Sequence, residues 1–386
     1  MINNKSQNDL LLQREKRSGT IICQAKPTTM WLESTSRCNL RCISCPRTYL
    51  PFFKGKDLYE EVFETVKKEL FPFLTQIHLE SFGEPMMSIL FEYLMNEAII
   101  RNIQVTFCTN GMFLNEKWSR KFLEHNISFS ISIDGARAQT MKKIRPGTDL
   151  RKIINSIKLF NKLKEKEYPD SKASIRILSL ALKSNIEELP DLVTLANRLK
   201  IDNIVIRQLI YSLVHPLRIR KELLKYYKNM ANRNFLAAKS RAEELGMNLS
   251  VKLFETEPSE KSKDRLSSKS TTYRFSQKCF APWERILVRA NGDITPCCSS
   301  GEIMGNIQKD GFWKVWNGRK YRFFRSRINT NLPPLDCRNC VQSYGINQGN
   351  ADNIKRHENT SQRTYYFLER QKKFLTYGYH YLKNYI

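Results

Sequence analysis

The run SRCNLRCISCPR, residues 36–47, places three cysteines, Cys38, Cys42 and Cys45, at gaps of three residues and then two. Three thiolates leave the four-coordinate shell of a structural zinc one ligand short. They suffice to hold three irons of a [4Fe–4S] cube, whose fourth iron then stays open to an outside ligand. A zinc knuckle completed by a distant fourth ligand uses the same spacing. What surrounds the loop decides between the two.

The chain has 386 residues, 41% hydrophobic and 11% aromatic, which suits one large globular unit and a smaller one. No apolar run approaches the roughly 20 residues of a membrane span, and the polar N-terminus carries no secretory signal, so no transmembrane segment and a cytoplasmic location are expected. The net charge of +26, from 64 Lys and Arg against 38 Asp and Glu, favours an anionic partner. The basic residues are spread along the chain rather than gathered in a stripe, which an AT-rich coding sequence would also produce. A basic iron–sulfur protein that binds nucleic acid accounts for this charge, but not for the motifs described below. The ten cysteines fall mainly into two groups, 38–45 and 279–340, with Cys23 and Cys108 apart. With no secretory signal, clustered cysteines point to metal ligands rather than disulfides.

Six β-rich runs alternate with helical patterns: TMWLEST from 29, QIHLES from 76, IQVTFC from 103, ISFSISI from 127, ASIRILSLAL from 173 and NIVIRQLI from 203. Between the first two, Leu58, Val62, Val66 and Leu70 repeat at helical spacing, with Asp57 as the expected N-cap and Glu60 three positions on. Strand–helix alternation implies right-handed crossovers and a parallel α/β sheet. Six units satisfy either a partial barrel or an open doubly wound sheet, and both gather ligands at the C-terminal ends of the strands. A long basic helix is expected at 217–245, a flexible linker at 255–277, and a basic aromatic helical tail at 346–386.

The spacing of Cys38, Cys42 and Cys45 resembles the signature of the radical S-adenosylmethionine (SAM) enzymes, whose partial (β/α)6 TIM-type barrel the six units would then form. In that family the open iron of the [4Fe–4S] cluster binds SAM, whose reductive cleavage yields a 5′-deoxyadenosyl radical that abstracts a substrate hydrogen. SFGEPMMS (81–88) is similar to the family's Gly-Gly-Glu stretch, implying that Gly83 and Glu84 receive the SAM ammonium, with Phe82 at the first glycine position. CTNG (108–111), SIDG (132–135) and KKIRPG (142–147) follow in the family's order. The resemblance implies Ser132 or Asp134 at the SAM ribose, Arg145 at its carboxylate, and Asn110 with Gly111 on the same rim. Ser44 stands where many members carry an aromatic residue beside the adenine.

The distal cysteines are Cys279, Cys297 after 17 intervening residues, with Gly292 five positions before it, and the pair Cys337 and Cys340 in CRNC. Four thiolates close a coordination shell, either of zinc or of a second [4Fe–4S] cluster. With MGNIQKDGFWKVWNG (304–318) between them, they resemble the auxiliary-cluster domain called SPASM in its shortened, single-cluster twitch form. That likeness implies Cys279, Cys297, Cys337 and Cys340 as ligands of an auxiliary [4Fe–4S] cluster. For Cys298 three roles stay open: alternate ligand, hydrogen-atom donor to a substrate radical, or small buried side chain. The expected organisation is an extension over 1–28, the radical SAM core over 29–254, the linker, the auxiliary domain over 278–345 and the tail.

A closed auxiliary cluster suits acceptance of the second electron after hydrogen abstraction. The chain is in this respect similar to the aminocyclitol dehydrogenases of aminoglycoside biosynthesis, which implies a sugar- or aminocyclitol-type small molecule oxidised from alcohol to ketone. An electron donor such as flavodoxin or ferredoxin is implied as partner. The alternative is a peptide-modifying enzyme, an epimerase or crosslinking maturase. Its relatives carry a leader-binding N-terminal domain or a fuller SPASM, and an epimerase would call on Cys298 or Cys108 as donor thiol.

Overall fold

The computed structural model describes residues 5–49, 55–201, 203–209, 215–254, 278–330, 332–337 and 340. All six expected strand runs form strands: β1 (Thr29–Leu32), β2 (Gln76–His78), β3 (Gln104–Thr106) with β4 (Cys108–Thr109), β5 (Phe129–Ser132), β6 (Ile175–Ala181) and β7 (Asn203–Gln208). A further strand, β8 (Asn248–Ser250), pairs parallel with β7. β3 and β4 are one run interrupted at Phe107, whose carbonyl still accepts the Ser130 N–H at 2.9 Å. The barrel wall therefore passes from β1–β2–β3 into β4–β5–β6–β7–β8 with every neighbour parallel. The crossovers are helical: α2 (Glu60–Glu69), α3 (Phe91–Ile100), α4 (Glu116–Glu124), α5 (Ala138–Ile144), α6 (Leu150–Glu167) and α7 (Leu189–Arg198).

Pleat alternation sorts the side chains into two shells. Met30, Leu32, Ile77, Phe107, Phe129, Ile131, Ile175 and Ile177 are buried under the helices. There Phe107 stacks on Phe129 at 5.2 Å, and Phe91 and Phe160 meet these rings edge-on. The opposite face, turned to the barrel interior, carries Trp31, His78, Thr106, Cys108, Ser130, Ser132 and Arg176. This lining is largely polar, unlike the packed aliphatic filling of a closed barrel.

Three expectations change. Asp57 does not cap α2; the cap is Tyr59 without a side-chain bond, while Asp57 pairs with Arg37 at 2.7 Å and its backbone bridges Thr35. The segment 217–245 is divided into α8 (Leu217–Arg220) and α9 (Lys228–Glu244) rather than one helix. The distal cysteine region does not stand apart from the core. After α10 (Ala281–Glu284), β9 (Arg285–Val288) lies parallel beside β1, pairing Thr29 with Arg285 through Leu32 with Val288. β10 (Asp293–Thr295) and β11 (Gly305–Asn306) extend that sheet antiparallel. Gly292 turns the β9–β10 hairpin at φ +85°, where a Cβ would meet Val62 and Asn306.

α11 (Ile307–Asp310), α12 (Phe312–Trp316) and α13 (Arg319–Arg327) cover this extension, and the N-terminal segment is fastened to them. α1 (Lys5–Ser18) places Lys16 at 2.5 Å from Glu284, the Trp283 indole donates to Thr20 O at 2.7 Å, and the Trp316 indole donates to Ala25 O at 3.0 Å. The expected linker 255–277 and tail 346–386 lie outside the described residues.

Candidate active site

The cysteine loop follows β1 and is held by its own backbone and by its neighbours. Arg47, 7% exposed, donates Nε to Ser36 O at 2.9 Å and Nη2 to Cys38 O at 2.9 Å, drawing the loop's two ends together. Ile43 N–H donates to Ile144 O at 3.0 Å and Arg41 N–H to Pro146 O at 3.1 Å, so the loop pairs with the IRPG turn. Gly147, at φ +96°, permits that approach, because a Cβ there would meet Leu40 Cδ2 and Asn39 O. His215 holds Ser44 O at 2.9 Å from the far side. Arg47 and His215 carry no motif; their partners are main-chain carbonyls that exist only once the loop has folded.

The three thiols stand within mutual electrostatic reach. Burial raises the Cys38 and Cys45 thiols and pushes Cys42 up to about 11, with neighbouring thiols adding to the shift at Cys42. In the metal-free protein these groups are protonated at neutral pH, so loading a metal must release protons. Around them stand most of the expected side chains. Asn110 donates Nδ2 to Asn39 Oδ1 at 2.8 Å, with Cys38 Sγ 3.9 Å away. Arg145 Nη1 lies 3.9 Å from Cys42 Sγ.

Gly83 serves close packing. A Cβ on it would fall 2.0 Å from Thr35 O and 2.8 Å from Arg37 O, so only glycine lets this loop lie against the cysteine loop. Glu84, 2% exposed, accepts from Thr109 Oγ1 at 2.6 Å, from Asn110 N–H at 2.7 Å and from Met86 N–H at 3.4 Å. Burial nevertheless pushes its carboxyl up to about 7, those donors only partly offsetting it.

Burial distinguishes two of the expected residues. Asp134 is fully buried, with Oδ2 accepting from Arg145 Nε and Oδ1 from Leu180 N–H, both at 2.7 Å. Both oxygens are thus engaged with the protein, and Asp134 positions Arg145. Ser132 remains on the interior face, 3.2 Å from Cys108 Sγ. Cys298 is exposed and neighbours Cys340 and Arg285. The small buried role is therefore not its own, and the thiol inside the barrel is Cys108, within electrostatic reach of both Arg145 and Glu80.

Glu80 was not anticipated. It follows β2 on the interior face, 3.8 Å from His78 Nδ1, and His78 stacks on Trp31 at 4.0 Å. Burial lifts Glu80 to about 7, although the Cys108 N–H and Arg176 favour its charged form, and burial with Arg285 and Arg176 lowers His78 to about 4. A titratable carboxyl in a polar barrel interior is a functional-site signal that needs the fold to become visible.

The distal thiols share one neighbourhood. Cys297 lies within electrostatic reach of Cys279, and Cys337 within reach of Cys279, Cys297 and Cys340. Asn329 brackets Cys279 by accepting its N–H at 2.7 Å and donating to its carbonyl at 2.9 Å. Asp336 ties the two segments together, accepting from Ser300 Oγ at 2.8 Å and Gly301 N–H at 2.9 Å. Burial raises both Cys297, to about 12, and Cys337. Among the described residues no three Cys, His, Asp or Glu side chains form a preformed single-ion shell. The donor sets, three thiols in one loop and four from separate distal segments, fit iron–sulfur ligation.

Family models match both regions: the radical SAM superfamily over residues 32–196, and SPASM, an iron–sulfur cluster-binding domain, over residues 279–341. The chain carries a radical SAM domain followed by a SPASM domain. The radical SAM domain implies a [4Fe–4S] cluster and SAM, and the SPASM domain an auxiliary iron–sulfur cluster. The chain is 26% identical over 189 residues to the tungsten-containing aldehyde ferredoxin oxidoreductase cofactor-modifying protein of Pyrococcus furiosus, a match covering 47% of the chain and 51% of that protein. The chain thus spans about half the length of that relative. In fold it is similar to Streptococcus suis SuiB bound to precursor peptide SuiA, with a TM-score of 0.60, 17% identity, and coverage of 84% of this chain and 72% of that one. It is similar also to anSMEcpe with bound AdoMet and Cp18Cys peptide, with a TM-score of 0.59, 19% identity and coverage of 82% and 86%. No helix among the described residues is long and apolar enough to cross a membrane.

Proposed function

We propose that this radical SAM enzyme oxidises a substrate alcohol to a ketone, with Cys38, Cys42 and Cys45 holding the SAM-binding cluster and Cys279, Cys297, Cys337 and Cys340 the auxiliary one. The three-cysteine loop would hold the cluster at which SAM, reductively cleaved with one electron from the reductant, would supply hydrogen-atom abstraction at the hydroxyl-bearing carbon. Cys279, Cys297, Cys337 and Cys340 would hold a cluster able to accept the second electron, the hydroxyl proton leaving to solvent. The observation that carries this reading is that Cys279, Cys297 and Cys340 all lie within electrostatic reach of Cys337, four thiols that would close the shell of an auxiliary cluster. The polar interior around Glu80, His78 and Ser132 offers hydrogen-bonding groups to a hydroxylated small molecule of the sugar or aminocyclitol type. We place the reaction in the cytosol, with a flavodoxin or ferredoxin as reductant and the +26 charge assisting encounter with that acidic donor.

A second reading is peptide modification, favoured by the peptides bound to SuiB and anSMEcpe. Candidate alcohols and peptides incubated with reduced, iron-loaded protein and SAM in deuterated water separate the two. A ketone without solvent deuterium supports oxidation; deuterium at a peptide α-carbon supports epimerisation, with Cys108 as the interior donor. Under either reading 5′-deoxyadenosine forms, and Cys38→Ala, Cys42→Ala or Cys45→Ala abolishes it. Unchanged turnover in all three variants refutes the ligand assignment. Iron analysis should give about eight irons per chain, halved in Cys337→Ala/Cys340→Ala.

A further inference from the structure

Arg145 is an unusual neighbour for a cluster ligand, because it is anchored before any cofactor arrives. Its Nε is fixed by Asp134 at 2.7 Å, and Asp134 is fixed in turn by Leu180 N–H at 2.7 Å and through its carbonyl by Asn185 Nδ2 at 2.5 Å. The residues on either side of Arg145, Ile144 and Pro146, hydrogen-bond the cysteine loop at Ile43 and Arg41. The guanidinium is thus held from β6 on one edge, and its Nη1 lies 3.9 Å from Cys42 Sγ on the other. Arg145 and Asp134 are both buried, with side-chain exposures of 15% and 0%, so water screens this N–H···S contact weakly.

We propose that Arg145, positioned by Asp134, donates to the Cys42 sulfur and sets the reduction potential of the cluster on Cys38, Cys42 and Cys45. This rests on the reading of Cys42 as a cluster ligand. A hydrogen bond to a ligating sulfur stabilises the reduced cluster, which carries one more negative charge, and so raises its potential. The ion pair is close to neutral as a whole, which confines its effect to the directed N–H rather than a bare positive charge. Arg145 would then act on the cluster before SAM binds, a role separate from contact with the SAM carboxylate.

The test is an anaerobic titration with dithionite, the one-electron donor, followed by electron paramagnetic resonance on SAM-free protein. The signal that changes when SAM is later added identifies the three-cysteine cluster. In Arg145→Gln/Asp134→Asn both charges go together, so the pair's net charge is unchanged, and the shorter amide ends near the former Nε position and gives up the Nη1 donor to Cys42. The expected result is a midpoint lowered by the equivalent of about tenfold in the reduction equilibrium, about 59 mV for one electron, with wild-type iron content. Arg145→Lys, which keeps the charge but not the fork, should lower it as well; it carries the test if the double variant takes up no iron. Midpoints equal to wild type in iron-loaded variants overturn the proposal, even where SAM binding weakens, because Arg145 would then serve only the SAM carboxylate. Wild-type protein that assembles no SAM-responsive cluster would instead overturn the functional reading on which the proposal stands.

Discussion

Phe82 and Gly83 stand where the family pattern has two glycines, and their surroundings explain why only one is kept. The Phe82 ring faces Arg289 at 5.9 Å, whereas a Cβ on Gly83 would enter the Thr35 carbonyl. Gly83→Ala should therefore cost roughly 3 kcal/mol or more, since a main-chain atom cannot be moved as a flexible side chain can. Denaturant unfolding of the metal-free protein checks this, and a loss below about 1 kcal/mol would contradict it. Glu80 gives a pH signature. Its folded value of about 7 lies above the ordinary 4.5, so its contribution is fully present below pH 4.5 and is lost as pH rises through 7. His78, lowered from 6.5 to about 4, works in the opposite direction: its contribution is lost as pH falls below 6.5 towards 4. Of the neighbouring groups, Cys108, pushed up to about 12 by burial, does not titrate in this window. Comparing Glu80→Gln with wild type at pH 5 and pH 7.5 isolates the carboxyl. The variant should gain stability relative to wild type at the higher pH, by on the order of 2 kcal/mol.

Elements that bury one face were legible in the sequence, and those whose partners are distant in sequence were not. The six core strands announce themselves because apolar residues alternate or run together between turn residues. β9, with the sequence RILV, carries the same signal but nothing that says it pairs with Thr29–Leu32. α1 is mostly polar, and its buried Asn8 and Glu15 serve main-chain groups of residues 24–26, a role no helical periodicity encodes. The Asp57 cap failed because a tertiary ion pair with Arg37 outcompeted the local bond. The elements around α13 hang on one side chain in the same way. Arg325, 2% exposed, lies over the rings of Trp316 and Tyr321 and donates to Pro282 O, Ile21 O and Trp316 O. Arg325→Met should cost about 2–4 kcal/mol by leaving three buried carbonyls without their donor. The loss should appear first as faster proteolysis of residues 5–25, detected by limited digestion; equal protection of that segment in variant and wild type would argue against this coupling.

Across the whole molecule, the two cysteine centres belong to one continuous wall: β1, which leads into the first centre, is hydrogen-bonded along its length to β9, which leads towards the second. Removal of the auxiliary region by truncation after residue 277 should therefore do more than delete one cluster. It exposes the edge of β1 with its unpaired amide groups, and the shortened chain is expected to associate through that edge. Size-exclusion chromatography of the truncated chain tests this; a monomer retaining 5′-deoxyadenosine formation would show the core to be self-sufficient. The same pairing fixes an order of events during synthesis. Thr29 meets Arg285, so the outer edge of β1 has no partner until more than 250 further residues have been added. Contacts so distant in sequence are slow to form and leave strand edges open meanwhile. The loop of Cys38, Cys42 and Cys45 accordingly emerges on a scaffold whose β1 edge is still open, and β9 completes the wall beside it.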